Sequence, residues 1–202
     1  MAIRLRRDLA LLRELQQSDK YDDVPIDDPR ITAIHEAGHV AMGMVAQGLI
    51  PRIVTIAPNK EYQGMTDTTV FGQCIPADVS LIRMEILLTL AGGEAVELLT
   101  GNEDWEGCAD DFDRVYSLQS ALSDNEQGES GFEDLRFLTH RLMCYRRFVA
   151  AIEASADYLL EHPHLENDNV YPLFDLIHQT MGKRFVRAHR ERVKRATSAG
   201  IE

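Results

Sequence analysis

The sequence predicts an α+β fold that is mainly α, with a small antiparallel β element between the first two long helices. Several long segments repeat apolar residues at the three- and four-residue spacing that marks one face of a helix. Two short runs, IVTIA (53–57) and MTDTTVF (65–71), are rich in β-branched residues, and Pro58, Asn59 and Gly64 supply turn chemistry between them. A chain of 202 residues can bury one substantial core.

The N-terminal part is expected to be an appendage to a single domain. Residues 3–17 are predicted as a short amphipathic helix that packs against the domain, with a membrane-surface or partner helix as the alternative, and residues 21–29 as a linker. The appendage therefore spans residues 1–29, and the domain spans residues 30–202.

The first long helix has clear start and stop signals. Asp28 suits the N-cap, Pro29 suits the first helical position, and Gly48 suits the C-terminal end. Gly38 and Ala41 lie on one face of this helix, so we expect another element to approach it closely there.

Four further helices follow from the apolar periodicity. They are predicted from about Ala77 to Thr100, from near Asp110, over residues 132–161 and over residues 171–195. The segment 123–131 is polar and contains glycine, which predicts an exposed loop, and HPHLENDN separates the last two helices.

Composition and charge restrict the possible functions. The chain has 33 acidic and 21 basic residues, a net charge of −12, which argues against general nucleic-acid binding. The basic segment 183–195 is interpreted as a solvated terminal helix, with contact to anionic partners as the alternative. No run of 18 apolar residues is present, so no membrane span is expected. Three cysteines without C-x-x-C spacing suggest free thiols in a reducing compartment and a cytoplasmic location.

The segment HEAGH (35–39) is a candidate metal-binding motif. On a helix, His35 and His39 lie one turn apart on the same face, so both imidazoles can bind one Zn²⁺ at about 2.0–2.1 Å. Glu36 lies roughly 60–100° around the helix, where its carboxylate can act on water as a general base. This is the H-E-x-x-H pattern of zinc peptidases.

A catalytic zinc site needs a third protein ligand, and the residues alone leave several candidates. Residues 40–45 are VAMGMV, so the metzincin histidine is absent. Glu94 and Glu97 on the second long helix are candidates, and so are Asp110 and Asp111. Cys108 is interpreted as a buried, inert cysteine, with a thiol ligand or a redox-sensitive neighbour as the alternatives.

Four motifs in order resemble the peptidase domain of the FtsH-type AAA proteases. They are HEAGH, IPRIVTIAPNKEYQGMT, LAGGEAVELLTG and GCADDFDRVYSL, and together they cover roughly residues 30–120. The resemblance implies that Asp111 is the third zinc ligand, because the family's G-A-S-N-D turn falls on GCADD. This chain differs from the family at Glu94, which occupies the position of a family arginine. Glu97 takes the place of a family glutamate and is interpreted as a solvated helix carboxylate, with a hydrogen bond to a ligating histidine as the alternative.

These expectations together describe a zinc metalloendopeptidase that cleaves peptides or unfolded polypeptides. His35, His39 and Asp111 would hold the metal and Glu36 would act as general base, while the strand ending near QGMT would bind substrate by strand addition. The 202 residues contain no G-x-x-x-x-G-K-[ST] motif, so cleavage is expected to be independent of ATP. The alternatives are a non-proteolytic metal-binding or interaction protein and a peptidase served by a separate ATPase. A homo-oligomer is a further possibility.

Overall fold

The computed structural model describes residues 28–58, 64–67, 78–102, 107–125 and 132–198. In these residues the fold is α+β and mainly α, as predicted. The helices are α1 (Pro29–Gln47), α2 (Val79–Thr100), α3 (Ala109–Asn125), α4 (Phe132–Met143), α5 (Arg146–Glu161), α6 (Tyr171–Met181) and α7 (Lys183–Ser198). The strands are β1 (Ile53–Thr55), β2 (Met65–Asp67) and β3 (His164–Glu166), and a 3₁₀ turn spans Asn167–Val170. The predictions for residues 3–17, 21–27, 68–71 and 126–131 lie outside the described residues.

Helix α1 begins and ends where its sequence signals predict. The Asp28 side chain accepts a hydrogen bond from the Arg30 backbone N–H at 2.7 Å, and Pro29 occupies the first turn. Gly48 adopts a left-handed φ of 75°, and its N–H donates to the carbonyls of Gly43 and Met44. Only glycine adopts this backbone conformation readily, which is why the helix stops there.

Helix α2 packs closely against α1. A methyl group on Gly38 would collide with the Ala91 carbonyl and would lie 2.7 Å from the Ala95 side chain. The absence of a side chain at Gly38 therefore lets the two backbones approach each other, as the sequence predicts. This approach brings the middle of α2 against the histidine face of α1.

The sheet has three antiparallel strands in the order β2–β1–β3. In its centre Val54 lies opposite Thr66 on one side and Leu165 on the other. The segment HPHLENDN, predicted only as a connection between helices, thus supplies a strand. The Pro163 carbonyl accepts hydrogen bonds from the Ile56 N–H at 2.9 Å and from the Thr55 hydroxyl at 3.1 Å, and these fix β3 against β1.

The two long C-terminal helices of the prediction are each divided in two. The first is interrupted at Tyr145, which has an extended backbone and whose carbonyl then accepts the first hydrogen bonds of α5. The second is interrupted at Gly182, whose φ of 77° cannot continue a helix. The apolar periodicity continues across both breaks, so it could not reveal them.

Two apolar clusters lie on different sides of α2. The larger one surrounds α1 and includes residues of α2, α5, α6 and α7. The smaller one joins α2 to α3 and α4, and its buried members are Ile82, Ile86, Leu90, Val115, Leu118, Leu122 and Leu135. Helix α2 therefore contributes buried residues to both clusters and connects α1 to α3 and α4. None of the described helices has the length and apolar character needed to cross a membrane.

Candidate metal centre

Three ligand atoms from two helices converge on one point. The Nε2 atoms of His35 and His39 lie 3.0 Å apart. The Asp111 Oδ2 atom lies 3.1 Å from the first nitrogen and 3.2 Å from the second. Asp111 is in the first turn of α3, where the helix dipole favours a negative charge. The structure thus brings His35, His39 and Asp111 together across 72 or more positions of sequence.

The triangle formed by these atoms has the size of one face of a tetrahedral zinc site. Metal–ligand bonds of about 2.0–2.1 Å at tetrahedral angles place neighbouring ligand atoms about 3.3 Å apart. The observed separations of 3.0–3.2 Å are close to this value. Two imidazole nitrogens and one carboxylate oxygen are also a donor set that zinc commonly takes, so these residues fit the ion that the sequence predicts.

The other ring nitrogen of His39 fixes the orientation of its imidazole. Nδ1 lies 2.9 Å from the Leu88 carbonyl of α2 and must donate to it, which directs the lone pair of the neutral ring's Nε2 to the centre of the triangle. Burial opposes a charge on this ring, but the Asp111 carboxylate, assisted by Glu36, raises the pKa of His39 to about 9. Burial opposes ionisation of Asp111, yet the two histidines lower the pKa of that carboxyl group. A cation at the centre would replace the proton that the raised pKa keeps on His39.

His35 contacts a thiol with its other ring nitrogen. Cys108 Sγ lies 3.9 Å from His35 Nδ1, and His35, Cys108 and Asp111 offer possible ligand atoms within 4.8 Å of one another. We favour the set with His39, because Nδ1 and Nε2 of one imidazole point in different directions and only Nε2 faces His39 and Asp111. Cys108 therefore lies behind His35 and supports its ring, as neighbours of metal-ligating histidines commonly do.

Gly92 of α2 forms the floor of the centre. A methyl group at this position would lie 2.5 Å from Nε2 of both His35 and His39. Any side chain here would enter the space in which the two nitrogens meet. The adjacent Gly93 makes room for Cys108, whose sulfur would lie 2.6 Å from a methyl group at residue 93. Gly92 thus leaves space for the two histidine nitrogens, and Gly93 leaves space for the Cys108 thiol beside His35.

Glu36 is held beside the triangle by strand β2. Its Oε2 atom accepts a hydrogen bond from the Thr66 hydroxyl at 2.6 Å. A methyl group on Gly64 would lie 2.5 Å from Glu36 Oε1, so the chain just before β2 packs directly on the carboxylate. Glu36 is only 4% exposed, and its charge contributes to the raised pKa of His39. The predicted general base is therefore near the candidate ligands but lies on the β2 side of them.

The remaining sequence candidates lie elsewhere. Asp110 is exposed to solvent. Glu94 is buried on the opposite side of α2, where it accepts from Arg136 Nε at 2.7 Å and from His140 Nδ1 at 2.9 Å. Glu97 pairs with the same arginine rather than with either ligand histidine. Arg136 and His140, which pair with these carboxylates, belong to no sequence motif that would have indicated this role.

Comparison with known proteins adds no assignment. No model of a known protein family matches the chain. No curated protein matches it either.

Proposed function

We propose that this chain is a zinc-dependent endopeptidase that cleaves peptides or unfolded polypeptides and needs no nucleotide to do so. His35, His39 and Asp111 would hold the ion, and Glu36 would act as general base. The observation that carries this proposal is the convergence of three ligand atoms at 3.0–3.2 Å. Glu36, next to His35 in the helix, supports the proposal because its charge acts on His39.

In the proposed reaction the zinc ion and Glu36 would have different roles. Zinc, when bound, would polarise the peptide carbonyl and make water more acidic. Glu36 would take a proton from the attacking water while the water oxygen bonds to the carbonyl carbon. When the C–N bond breaks, Glu36 would return that proton to the leaving nitrogen, so the carboxylate is regenerated.

Strand β2 is the proposed substrate-binding element. It lies at one end of the sheet, and among the described residues its only strand partner is β1. An extended peptide could add to this edge through backbone hydrogen bonds, which would make cleavage tolerant of sequence. Because Thr66 in the same strand holds Glu36, a peptide bound there would lie close to the general base.

The test compares three zinc-loaded proteins on unfolded casein without nucleotide. They are the wild type, Glu36→Gln and Glu133→Gln, the last being the same change at an exposed residue of α4. We expect chelator-sensitive cleavage by the wild type and by Glu133→Gln. The Glu36→Gln variant should retain zinc and lose at least about 100-fold in rate, the scale of general-base catalysis.

A second candidate function, a non-proteolytic metal-binding protein, is favoured by one observation. The Glu36 carboxylate is nearly enclosed by Thr66 and by the backbone at Gly64, which leaves little space for a substrate beside it. If the zinc-loaded wild type cleaves no casein, this reading replaces the proposal. A copurifying ATPase that makes cleavage depend on added ATP would instead argue against independence from nucleotide.

A further inference from the structure

Helix α7 has a charge opposite to that of the rest of the protein. Its 16 residues include seven Lys and Arg against one Glu, a net charge of +6. The whole chain carries −12, so the other residues together carry −18. One third of the 21 basic residues of the chain is therefore concentrated in this helix.

The basic residues of α7 fall into two groups with different roles. Arg190 and Arg192 face the protein: Arg190 donates to the carbonyls of Met44 and Val45 at 2.9 Å, and Arg192 lies over the Tyr145 ring at 5.0 Å. The remaining five are exposed and follow one face of the helix, because they recur at three- to four-residue and seven-residue spacing. We name this face the basic stripe; it consists of Lys183, Arg184, Arg187, Lys194 and Arg195.

Three residues of the basic stripe have, in the part of the chain that the structure describes, none of the acidic partners that other arginines have. Arg30 pairs with Asp157 at 2.8 Å, Arg52 pairs with Asp67 at 3.0 Å, and Arg136 binds two glutamates. Within the described ranges, by contrast, no carboxylate lies within 4 Å of Lys183, Arg184 or Arg187.

At the other end of the stripe, Glu191 is the nearest acid, 3.8 Å from Lys194. Acidic residues are in excess in this protein, yet within the described ranges Glu191 is the one carboxylate that pairs with the stripe. Like charges one turn apart also repel each other within the helix.

The shape and surroundings of the stripe indicate the kind of partner it fits. The apolar side of α7, with Val186 and Val193, is buried in the core, so α7 offers no apolar face to a bilayer. A membrane surface or a long nucleic acid would also bring its own negative charge against the remaining −18. From residue 183 to residue 195 the stripe is about 18 Å long. An extended polypeptide of about six residues covers that distance.

We propose that the basic stripe of α7 binds an acidic segment of polypeptide in an extended conformation. This surface is separate from the metal centre, since its five residues are exposed to solvent and α7 makes its hydrogen bonds to α1, at Met44 and Val45, through Arg190 outside the stripe. The interaction is electrostatic and therefore weakens as salt is raised. It does not depend on the proposed peptidase activity.

The test is binding of a fluorescein-labelled glutamate-rich peptide, measured by fluorescence anisotropy. All proteins carry Glu36→Gln so that the probe is not cleaved. Arg184→Gln/Arg187→Gln removes two charges from the stripe, and Arg52→Gln/Arg141→Gln removes two exposed charges outside it. We expect the stripe variant to bind at least about tenfold more weakly than its parent and the control variant to stay within about twofold at low salt.

Three results would overturn the proposal. The first is equal binding by the stripe variant and the control variant, and the second is no binding of the peptide at low salt. The third is a preference of the stripe for an oligothymidylate strand, for vesicles containing phosphatidylserine or for a second copy of the chain, detected by sedimentation. Matched thermal melts of the two double variants exclude unfolding as the cause of lost binding.

Discussion

Two clusters of histidine and carboxylate side chains flank helix α2, and they differ in whether an arginine pairs with the carboxylates. On the α1 side, His35 and His39 share one carboxylate oxygen of Asp111. On the α4 side, Glu94 and Glu97 are matched by Arg136 and by His140. In the first cluster three ligand atoms point to one position, whereas in the second each carboxylate is paired with a basic side chain.

The difference separates the candidate metal centre from an ion-pair network built of similar residues. In the α4 cluster two carboxylates meet a guanidinium and an imidazole whose pKa is about 10, so the charges balance without any ion. In the α1 cluster, among the residues that the structure describes, protons on the imidazoles supply the positive charge beside Asp111, and a divalent cation can replace protons of this kind. The presence of an arginine therefore distinguishes the two clusters better than the number of histidines does.

The largest effect is expected from removing the carboxylate of the α1 cluster. Asp111→Asn should lower zinc affinity by more than about 100-fold, because it removes a ligand, and changes outside the ligand set already cost 10–100-fold. Asp110→Asn, the same change at the exposed neighbour, should leave zinc affinity unchanged. Competition with a chromogenic chelator measures both. Equal affinities in the two variants would show that Asp111 is not a ligand.

A methyl group at the floor of the same cluster should also exclude the ion. Gly92→Ala would place a carbon 2.5 Å from both Nε2 atoms, so we expect zinc stoichiometry to fall from near one to near zero in metal analysis. The α4 cluster should be unaffected, which a denaturation curve of the zinc-free proteins can check. Retention of zinc at wild-type affinity would mean that α2 does not close the centre.

The members of the α1 cluster that lie close together in the sequence could be predicted from it. His35, Glu36 and His39 lie within five residues on one helix, so helical geometry alone relates them. Asp111 comes from α3, and the residues alone did not distinguish it from Glu94, Glu97 or Asp110. Only the resemblance to a known family singled it out, since the meeting of α1, α2 and α3 is a property of tertiary packing.

The α4 cluster could not be predicted for the same reason. Glu94 and Arg136 are 42 residues apart, and they meet only because α4 starts and packs where it does. Strand β3 is a similar case, since its three residues are too few for their alternation to indicate a strand, and they form one through hydrogen bonds to β1. The fold class and α1 followed from periodicity and caps, whereas long-range pairs and short strands depend on contacts that no local pattern encodes.

The α4 cluster should control stability rather than metal binding. Arg136→Met leaves the 4% exposed Glu94 without its main partner, and breaking a buried pair in this way costs about 3 kcal/mol. Urea denaturation should show this loss, and zinc affinity should stay within about twofold of the wild type. The double variant Glu94→Gln/Arg136→Met should recover most of the loss, because no buried charge remains unpaired. A single variant as stable as the wild type would contradict this role.

The smallest effect, and the one with a pH signature, is expected at His140. Hydrogen bonds to Cys144 and Glu94 raise the pKa of His140 to about 10 from an ordinary value of 6.5. The folded state therefore holds the proton more tightly, and the ion pair stabilises the fold fully below pH 6.5 and progressively less as pH rises towards 10. Replacing His140 with Gln should lower the free energy of unfolding by about 1 kcal/mol at pH 6.5, since the side chain is partly exposed and screened.

That stability difference should shrink steadily as the pH is raised, because the wild type loses a charge that the variant never had. His164→Gln provides the control, since His164 is exposed and lies 3.9 Å from Glu166 in a surface pair, and it should show little difference at any pH. A His140→Gln difference that stays constant from pH 6.5 to 10 would mean that packing, and not charge, is what His140 contributes. The α4 cluster would then lose half of its positive charge, and Arg136 alone would have to neutralise both Glu94 and Glu97.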